Sequence, residues 1–246
     1  MKYQRVVNWI VLCGLVWVQA PGVSGTVWAA GLPCESQTFS SSKNPRHACV
    51  KQLQAKIKAA NIPVSVDGVF GNATVNAVLN FQRSQVGLTA DGVVGPKTWR
   101  MLNAPQYVEM GLAPKCKKSS GIMLCANQAS RKLWYVKDGA VVKEINVRFG
   151  GWAKDPKSGA YSLKKTAKGS FRIIQGRKYA DYTSKTFEAA MPYSMFFYGG
   201  QAFHYSANFA RAGYSGASHG CINIGNLDEA KWLFANTPEK TAVYVY

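Results

Sequence analysis

A repeated turn constrains this chain more than any other feature. Asp67-Gly68-Val69-Phe70-Gly71 leads into Thr74-Val75, and 24 residues later Asp91-Gly92-Val93-Val94-Gly95 leads into Thr98-Trp99. Asp-Gly opens a turn because the carboxylate bonds local backbone and glycine accepts a positive φ. Each copy then enters a helix-like stretch. Between the copies, Val75, Val78, Leu79, Phe81 and Gln82 recur at helical spacing. Before them, Val50, Leu53 and Ile57 mark another helix face, which Pro63 ends. The pattern predicts a compact three-helix module over 46–104, reached from a Ser- and Pro-rich tether at 31–45.

Beyond a basic linking stretch at 105–120, with Pro114, Lys115, Lys117 and Lys118, the pattern changes to strands. Ile122–Cys125, Lys132–Val136, Val141–Val147 and Phe171–Gln175 are β-prone, and Asp138-Gly139 between two of them signals a hairpin. A helix is expected at Leu227–Asn236 and a closing strand at Thr241–Tyr246. The fold class is α+β: a small helical module followed by a mainly β domain with long loops, of which the Lys- and Gly-rich stretch 150–169 is a candidate for a mobile, substrate-facing loop.

The N-terminus bears on the compartment. Lys2 and Arg5 precede an apolar run from Val6 to Val18, and Val27-Trp28-Ala29-Ala30 supplies small residues suited to cleavage. This is the pattern of a signal peptide over 1–30. The run is shorter than the ~20 residues a spanning helix requires, so the mature chain is expected to be exported and not membrane-spanning. Export fits the cysteines. Apart from Cys13 there are five: Cys34, Cys49, Cys116, Cys125 and Cys221. Two bridges and one free thiol follow in an oxidising compartment. Three pairings of the first four are open; the local one, Cys34–Cys49 with Cys116–Cys125, closes the shortest loops. The formal net charge of +18 calls for an anionic partner. Export argues against nucleic acid and for an anionic cell wall. Residues 115–185 hold 17 Lys or Arg against 4 Asp or Glu, whereas 186–246, which contains Cys221, holds 3 against 4.

Cys221 lies in Ser218-His219-Gly220-Cys221-Ile222-Asn223, 17 residues after His204. A cysteine attacks a carbonyl as its thiolate, and imidazole is the usual activator. Gly220 lets backbone amides approach a developing oxyanion. The plainer readings are a buried inert cysteine or part of a zinc site. The latter wants four ligands, which the bridged cysteines are not free to supply. Calcium at Asp67 and Asp91 is disfavoured by the lack of neighbouring oxygen ligands at loop spacing.

Two resemblances sharpen this. Val-x-x-Leu-Gln at 50–54, the two Asp-Gly-x-x-Gly turns, Phe81-Gln82 and Thr98-Trp99 together resemble the peptidoglycan-binding domain 1 family, over most of 48–103. His204, a gap, then Ser-His-Gly-Cys-Ile-Asn resembles the L,D-transpeptidase (YkuD-type) signature. Thr166-Ala167-Lys168-Gly169-Ser170-Phe171 is similar to an upstream family segment, with Ala167 in place of proline. Met191–Phe197 is similar to the stretch preceding the family histidine. The second resemblance covers about 121–246 and implies a YkuD-like catalytic domain. It implies Cys221 as nucleophile, His204 as proton acceptor and donor, and His219 and Gly220 as further catalytic-loop residues, His219 by orientation rather than proton transfer. Ser218, Asn223, Tyr198 and Gly199 are the substrate-binding candidates. The implied activity is a cysteine-based L,D-transpeptidase that joins peptidoglycan stem peptides 3→3 with release of terminal D-alanine. An L,D-carboxypeptidase and a non-catalytic wall-binding protein are the alternatives. The implied partners are stem peptides, glycan and the anionic wall, and no metal or organic cofactor is required.

Overall fold

The computed structural model describes residues 33–42 and 46–246. The expected signal peptide lies outside the described residues. Helices α1 (Ala48–Ala59), α2 (Asn72–Ser84) and α3 (Pro96–Asn103) form the N-terminal module. Its core gathers Val50, Leu53, Ile57, Val75, Val78, Leu79, Phe81 and Trp99 with Phe39 and Phe70. The helix faces read from spacing are therefore the buried ones.

The repeat has a specific physical basis. Gln54 of α1 donates to Asp67 Oδ1 (2.8 Å), the Val69 carbonyl (3.1 Å) and Thr74 Oγ1 (3.0 Å), and accepts from the Gly68 amide (2.8 Å). Gln82 of α2 repeats the pattern. It donates to Asp91 Oδ1 (2.9 Å), the Val93 carbonyl (2.8 Å) and Thr98 Oγ1 (3.4 Å), and accepts from the Gly92 amide (2.9 Å). Each Asp-Gly turn is thus anchored by a buried glutamine from the preceding helix. Asp67 and Asp91 serve the turns.

The disulfides are the local pair, Cys34–Cys49 and Cys116–Cys125, and Cys221 is free. The linking stretch is fastened to both sides. The Val86 amide donates to the Gln106 carbonyl and the Val108 amide to the Ser84 carbonyl, while the short helix α4 (Pro114–Lys117) carries the second disulfide.

The strands of the second part are β1 (Ile122–Asn127), β2 (Lys132–Lys137), β3 (Ala140–Arg148), β4 (Trp152–Lys154), β5 (Tyr161–Leu163), β6 (Gly169–Arg172), β7 (Lys178–Tyr179), β8 (Thr183–Ser184), β9 (Ala189–Ala190), β10 (Ser194–Tyr198), β11 (Gln201–Tyr205), β12 (Ile222–Ile224) and β13 (Ala242–Val245). Nine of them form one sheet in the order β6-β13-β1-β2-β3-β12-β11-β10-β7. The β2–β3 hairpin turns at Asp138-Gly139, both with positive φ, as expected. The stretch 150–169 contains an ordered two-stranded unit, β4 paired with β5. Its strands, three residues each, are too short to show as alternation. The strand expected at Phe171–Gln175 is shifted to Gly169–Arg172, because Ile173 and Ile174 bond to Thr241 and Phe196 outside the ladder.

The chain between β11 and β12 carries α5 (Ala207–Ala212), and β11 and β12 pair in parallel. Helix α6 (Leu227–Asn236) has the predicted bounds. Asn226 caps it by accepting from the Asp228 and Glu229 amides (2.9 and 3.1 Å). Ala230 and Leu233 of α6 join Val147, Phe203, Ile222 and Ile224 in the core. Strand side chains alternate between faces, so this burial of Val147, Phe203, Ile222 and Ile224 turns Arg148, His204 and Asn223 to the other face.

Gln82→Ala removes the group that holds the second turn and leaves buried amides and carbonyls unpaired. The expected loss is about 2–4 kcal/mol of stability, read from denaturant unfolding. A midpoint equal to that of wild type would contradict the role assigned to Gln82.

Candidate active site

The strand register builds the site. His204 on β11 stands opposite Asn223 on β12, which stands opposite Arg148 on β3. The three side chains form one hydrogen-bonded row across three strands. Arg148 Nη2 donates to Asn223 Oδ1 (3.1 Å) and to Asn208 Oδ1 (2.9 Å), and Nη1 donates to the Gly213 carbonyl (3.0 Å). A guanidinium has no acceptor, so the Asn223 oxygen must face it and the Asn223 amide nitrogen must face His204. That nitrogen donates to His204 Nε2 (2.8 Å). Nε2 therefore carries a lone pair, and the ring proton sits on Nδ1, which donates to the Tyr205 carbonyl (2.6 Å). Burial lowers the His204 pKa to about 4, with the Arg148 charge acting in the same direction and the Tyr205 carbonyl opposing. His204 is neutral at physiological pH, with the free lone pair on Nε2.

Cys221 precedes Asn223 by two residues and lines the same cleft as His204. Its side chain packs against Met191, Phe196 and Ala202, and the thiol donates to the Gly200 carbonyl (3.8 Å). Burial in this apolar setting pushes the thiol up to about 11, against a hydrogen bond from the Ala202 backbone. The resting pair is thus thiol and neutral imidazole rather than thiolate and imidazolium.

The loop before Cys221 is fixed from within. Ser218 Oγ donates to the Cys221 carbonyl (2.5 Å) and accepts from the Gly220 amide (3.1 Å). That amide is therefore already engaged. What Gly220 supplies is conformation and close approach: φ is +115°, and a Cβ would stand 2.9 Å from Gln201 Nε2 and 3.2 Å from the Lys165 carbonyl oxygen. Gln201 also binds the 165–167 segment, donating to the Lys165 carbonyl (3.0 Å) and accepting from the Ala167 amide (2.9 Å). His219 points away from proton transfer. Nε2 donates to the Lys154 carbonyl (2.6 Å), and the ring stacks on Phe187 at 4.3 Å between centroids. His219 thereby ties the β4–β5 hairpin to the loop between β8 and β9.

The cleft measures about 750 Å³. Arg148, Lys154, Arg177 and Lys185 line it, and among the described residues no Asp or Glu does. The structure brings Cys221, His204, His219, Ser218 and Asn223 together there. It does not bring Tyr198 or Gly199. A bulge between Phe196 and Tyr198 breaks the alternation of β10, and the half-exposed Tyr198 ring packs beside Phe171, 5.1 Å between centroids. Gly199 sits in the open turn that follows, with nothing within 4 Å of where a Cβ would stand. Sequence reasoning missed Arg148, whose only cue is a lone charge between Val147 and Phe149. The Tyr205 carbonyl, being backbone, leaves no cue at all.

The catalytic-domain model of the L,D-transpeptidases, YkuD, matches residues 122–245. The chain belongs to the YkuD family. A peptidoglycan-binding domain model matches residues 46–102, the segment N-terminal to the YkuD domain. Among solved structures, an L,D-transpeptidase of Xylanimonas cellulosilytica is 29% identical, with 82% of this chain and 95% of that one covered and a TM-score of 0.46. An L,D-transpeptidase of Stackebrandtia nassauensis is 22% identical over 82% and 92%, with a TM-score of 0.43. A curated protein of Bacillus licheniformis described as a probable N-acetylmuramoyl-L-alanine amidase is 34% identical over 100 residues, 37% of this chain. The match spans 28% of that relative's length.

A thiol titrating near 11 sets a pH profile. Alkylation of Cys221 by iodoacetamide should climb about tenfold per pH unit between about pH 7 and 10 without levelling. A rate already flat from about pH 6 upward would show a preformed thiolate and contradict the neutral pair.

Proposed function

We propose that this YkuD-family enzyme is an exported L,D-transpeptidase that forms 3→3 peptidoglycan cross-links through a thioester on Cys221. The observation that carries the reading is the Arg148–Asn223–His204 row, which keeps a lone pair on His204 Nε2 in the cleft that holds the one free cysteine among the described residues. The two disulfides and the wall-enzyme family support an extracytoplasmic setting. Among the described residues no helix is long and apolar enough to cross a membrane.

In the donor step, His204 Nε2 exchanges its Asn223 bond to take the Cys221 proton as Sγ attacks the carbonyl of the third stem residue. The tetrahedral adduct collapses, the bond to the terminal D-alanine breaks, and the leaving nitrogen takes the proton back from Nε2. In the acceptor step, a side-chain amine of a second stem gives a proton to Nε2 and attacks the thioester. Cys221 leaves and is reprotonated, restoring the thiol. A low His204 pKa keeps Nε2 free to receive each proton, and the high thiol pKa ties thiolate formation to the moment of attack.

Cleft charge suits an anionic peptide: among the described residues four cations and no carboxylate line it. The excess of bases on 115–185 adds adhesion to an anionic wall, weakened by salt. Incubated with sacculi bearing tetrapeptide stems at low salt, the wild-type protein should sediment with them. Mass analysis should show cross-linked dimers and free D-alanine. His204→Ala should slow the reaction roughly 10²–10⁴-fold, and Cys221→Ala should abolish it. D-Alanine release without dimers would make water the acceptor. Neither product, or a Cys221→Ala protein equal to wild type, would overturn the reading.

A further inference from the structure

The N-terminal module reaches the active site through one face of α2. Asn76 and Arg83 are seven residues apart, two helical turns, and so share that face. Asn76 Oδ1 accepts from the Trp152 amide (2.9 Å), and Nδ2 donates to the Trp152 carbonyl (3.2 Å) and the Ser215 carbonyl (3.4 Å). Arg83 Nη2 donates to the Gly150 carbonyl (2.6 Å). Trp152 and Leu163 of the β4–β5 hairpin pack on the module's core. Asn72 and Asn76 themselves line the cleft.

These contacts converge on the loop that ends in Cys221. Gly150 bridges Ser218, and the Ser218 amide donates to the Phe149 carbonyl (3.2 Å). A Cβ on Gly150 would lie 3.1 Å from the Gly220 Cα. One on Gly151 would lie 2.6 Å from Asn76 Oδ1 and 2.8 Å from Ala217 Cβ. The 150–152 segment therefore approaches the 215–220 loop backbone to backbone at Gly150 and Gly220, and meets the Asn76 side chain of α2 and the Ala217 Cβ at Gly151, with little room for adjustment. Arg83 is also an unusual choice for a mere docking contact. Among the described residues it has no acidic partner within ion-pair distance, so its charge is stabilised by carbonyl and amide oxygens alone: Gly150 and Asn80 Oδ1 (3.4 Å).

We propose that Asn76 and Arg83 are positioning residues for acyl transfer, by which the wall-binding module holds Gly150–Trp152 and the 215–220 loop and so sets Cys221 against its cleft. The proposal rests on Cys221 being the nucleophile. The module is on this account a wall of the enzyme rather than a tethered anchor. Displacements of about 1 Å at a reacting centre cost on the order of 10²-fold in rate, and a backbone packed this closely transmits them.

The test uses the full chain with Arg83→Ala, Arg83→Lys, Asn76→Ala and Asn76→Asp, each checked for its thermal midpoint and assayed on tetrapeptide muropeptides. Arg83→Ala and Asn76→Ala should lower kcat about 10-fold or more with KM within about threefold, the signature of lost transition-state geometry rather than lost binding. Arg83→Lys, which keeps a charged donor for the Gly150 carbonyl, should recover most of the rate. Asn76→Asp, which accepts from the Trp152 amide but cannot donate to Ser215, should resemble Asn76→Ala. Iodoacetamide alkylation of Cys221 should slow in the same variants, a readout that does not depend on the peptide substrate. If Arg83→Ala does not fold, Arg83→Lys and the two Asn76 variants carry the comparison. Unchanged kcat and alkylation in the folded Asn76 variants would overturn the proposal. A wild-type protein that alkylates but transfers nothing would instead overturn the transpeptidase reading.

Discussion

The site depends on one buried charge and what it orients. Arg148 is 4% exposed, lies over the Phe209 ring at 5.1 Å and forms no ion pair among the described residues. Burial lowers its pKa to about 10, which leaves it charged at neutral pH. A donor-only group at that place dictates the rest. It fixes the Asn223 amide, the amide fixes the His204 lone pair, and the Tyr205 carbonyl takes the remaining ring proton. Burying the guanidinium is costly, and replacing its oxygen partners with apolar groups would strand it. A protein that keeps such a group retains a directional constraint that hydrophobic packing cannot supply.

The sheet makes that constraint stable. Val147, Ile222, Ile224 and Phe203 lock three adjacent strands into the core through one face. A one-residue slip would turn the whole row into the hydrophobic interior, so packing and chemistry enforce the same register. The outcome is an unusual poise for a cysteine–histidine site. Both groups are neutral at rest, since burial raises one pKa and lowers the other. An unpaired thiol is exposed to oxidation in proportion to its thiolate fraction. A high pKa keeps that fraction small until a substrate carbonyl is in place.

Much of this was legible in the sequence wherever periodicity carries the signal. Val50, Leu53 and Ile57 placed α1, and α6 was expected at the bounds it has. The spacing from His204 to Cys221 marked the site but not β11 and β12, the strands beside it. The repeat was visible as a pair of turns, but its cause, Gln54 and Gln82 buried beneath them, needs three dimensions. What stayed hidden has physical reasons. Tyr198 was lost to a bulge, which no residue type announces. His219 reads as an orienting residue, but its partners, the Lys154 carbonyl and the Phe187 ring, are distant in sequence. Asn76 and Arg83 carried no cue, because a polar residue that binds backbone carbonyls across an interface has the same sequence pattern as one that binds water.

The state of the His204 ring is the most direct test of the account. In ¹⁵N-labelled protein at neutral pH, the ring nitrogens should report a neutral imidazole protonated at Nδ1, with protonation only near pH 4. Asn223→Leu should move the pKa, while the Tyr205 carbonyl still holds the proton on Nδ1. An imidazolium at neutral pH, or a ring protonated at Nε2 in the wild-type protein, would contradict it.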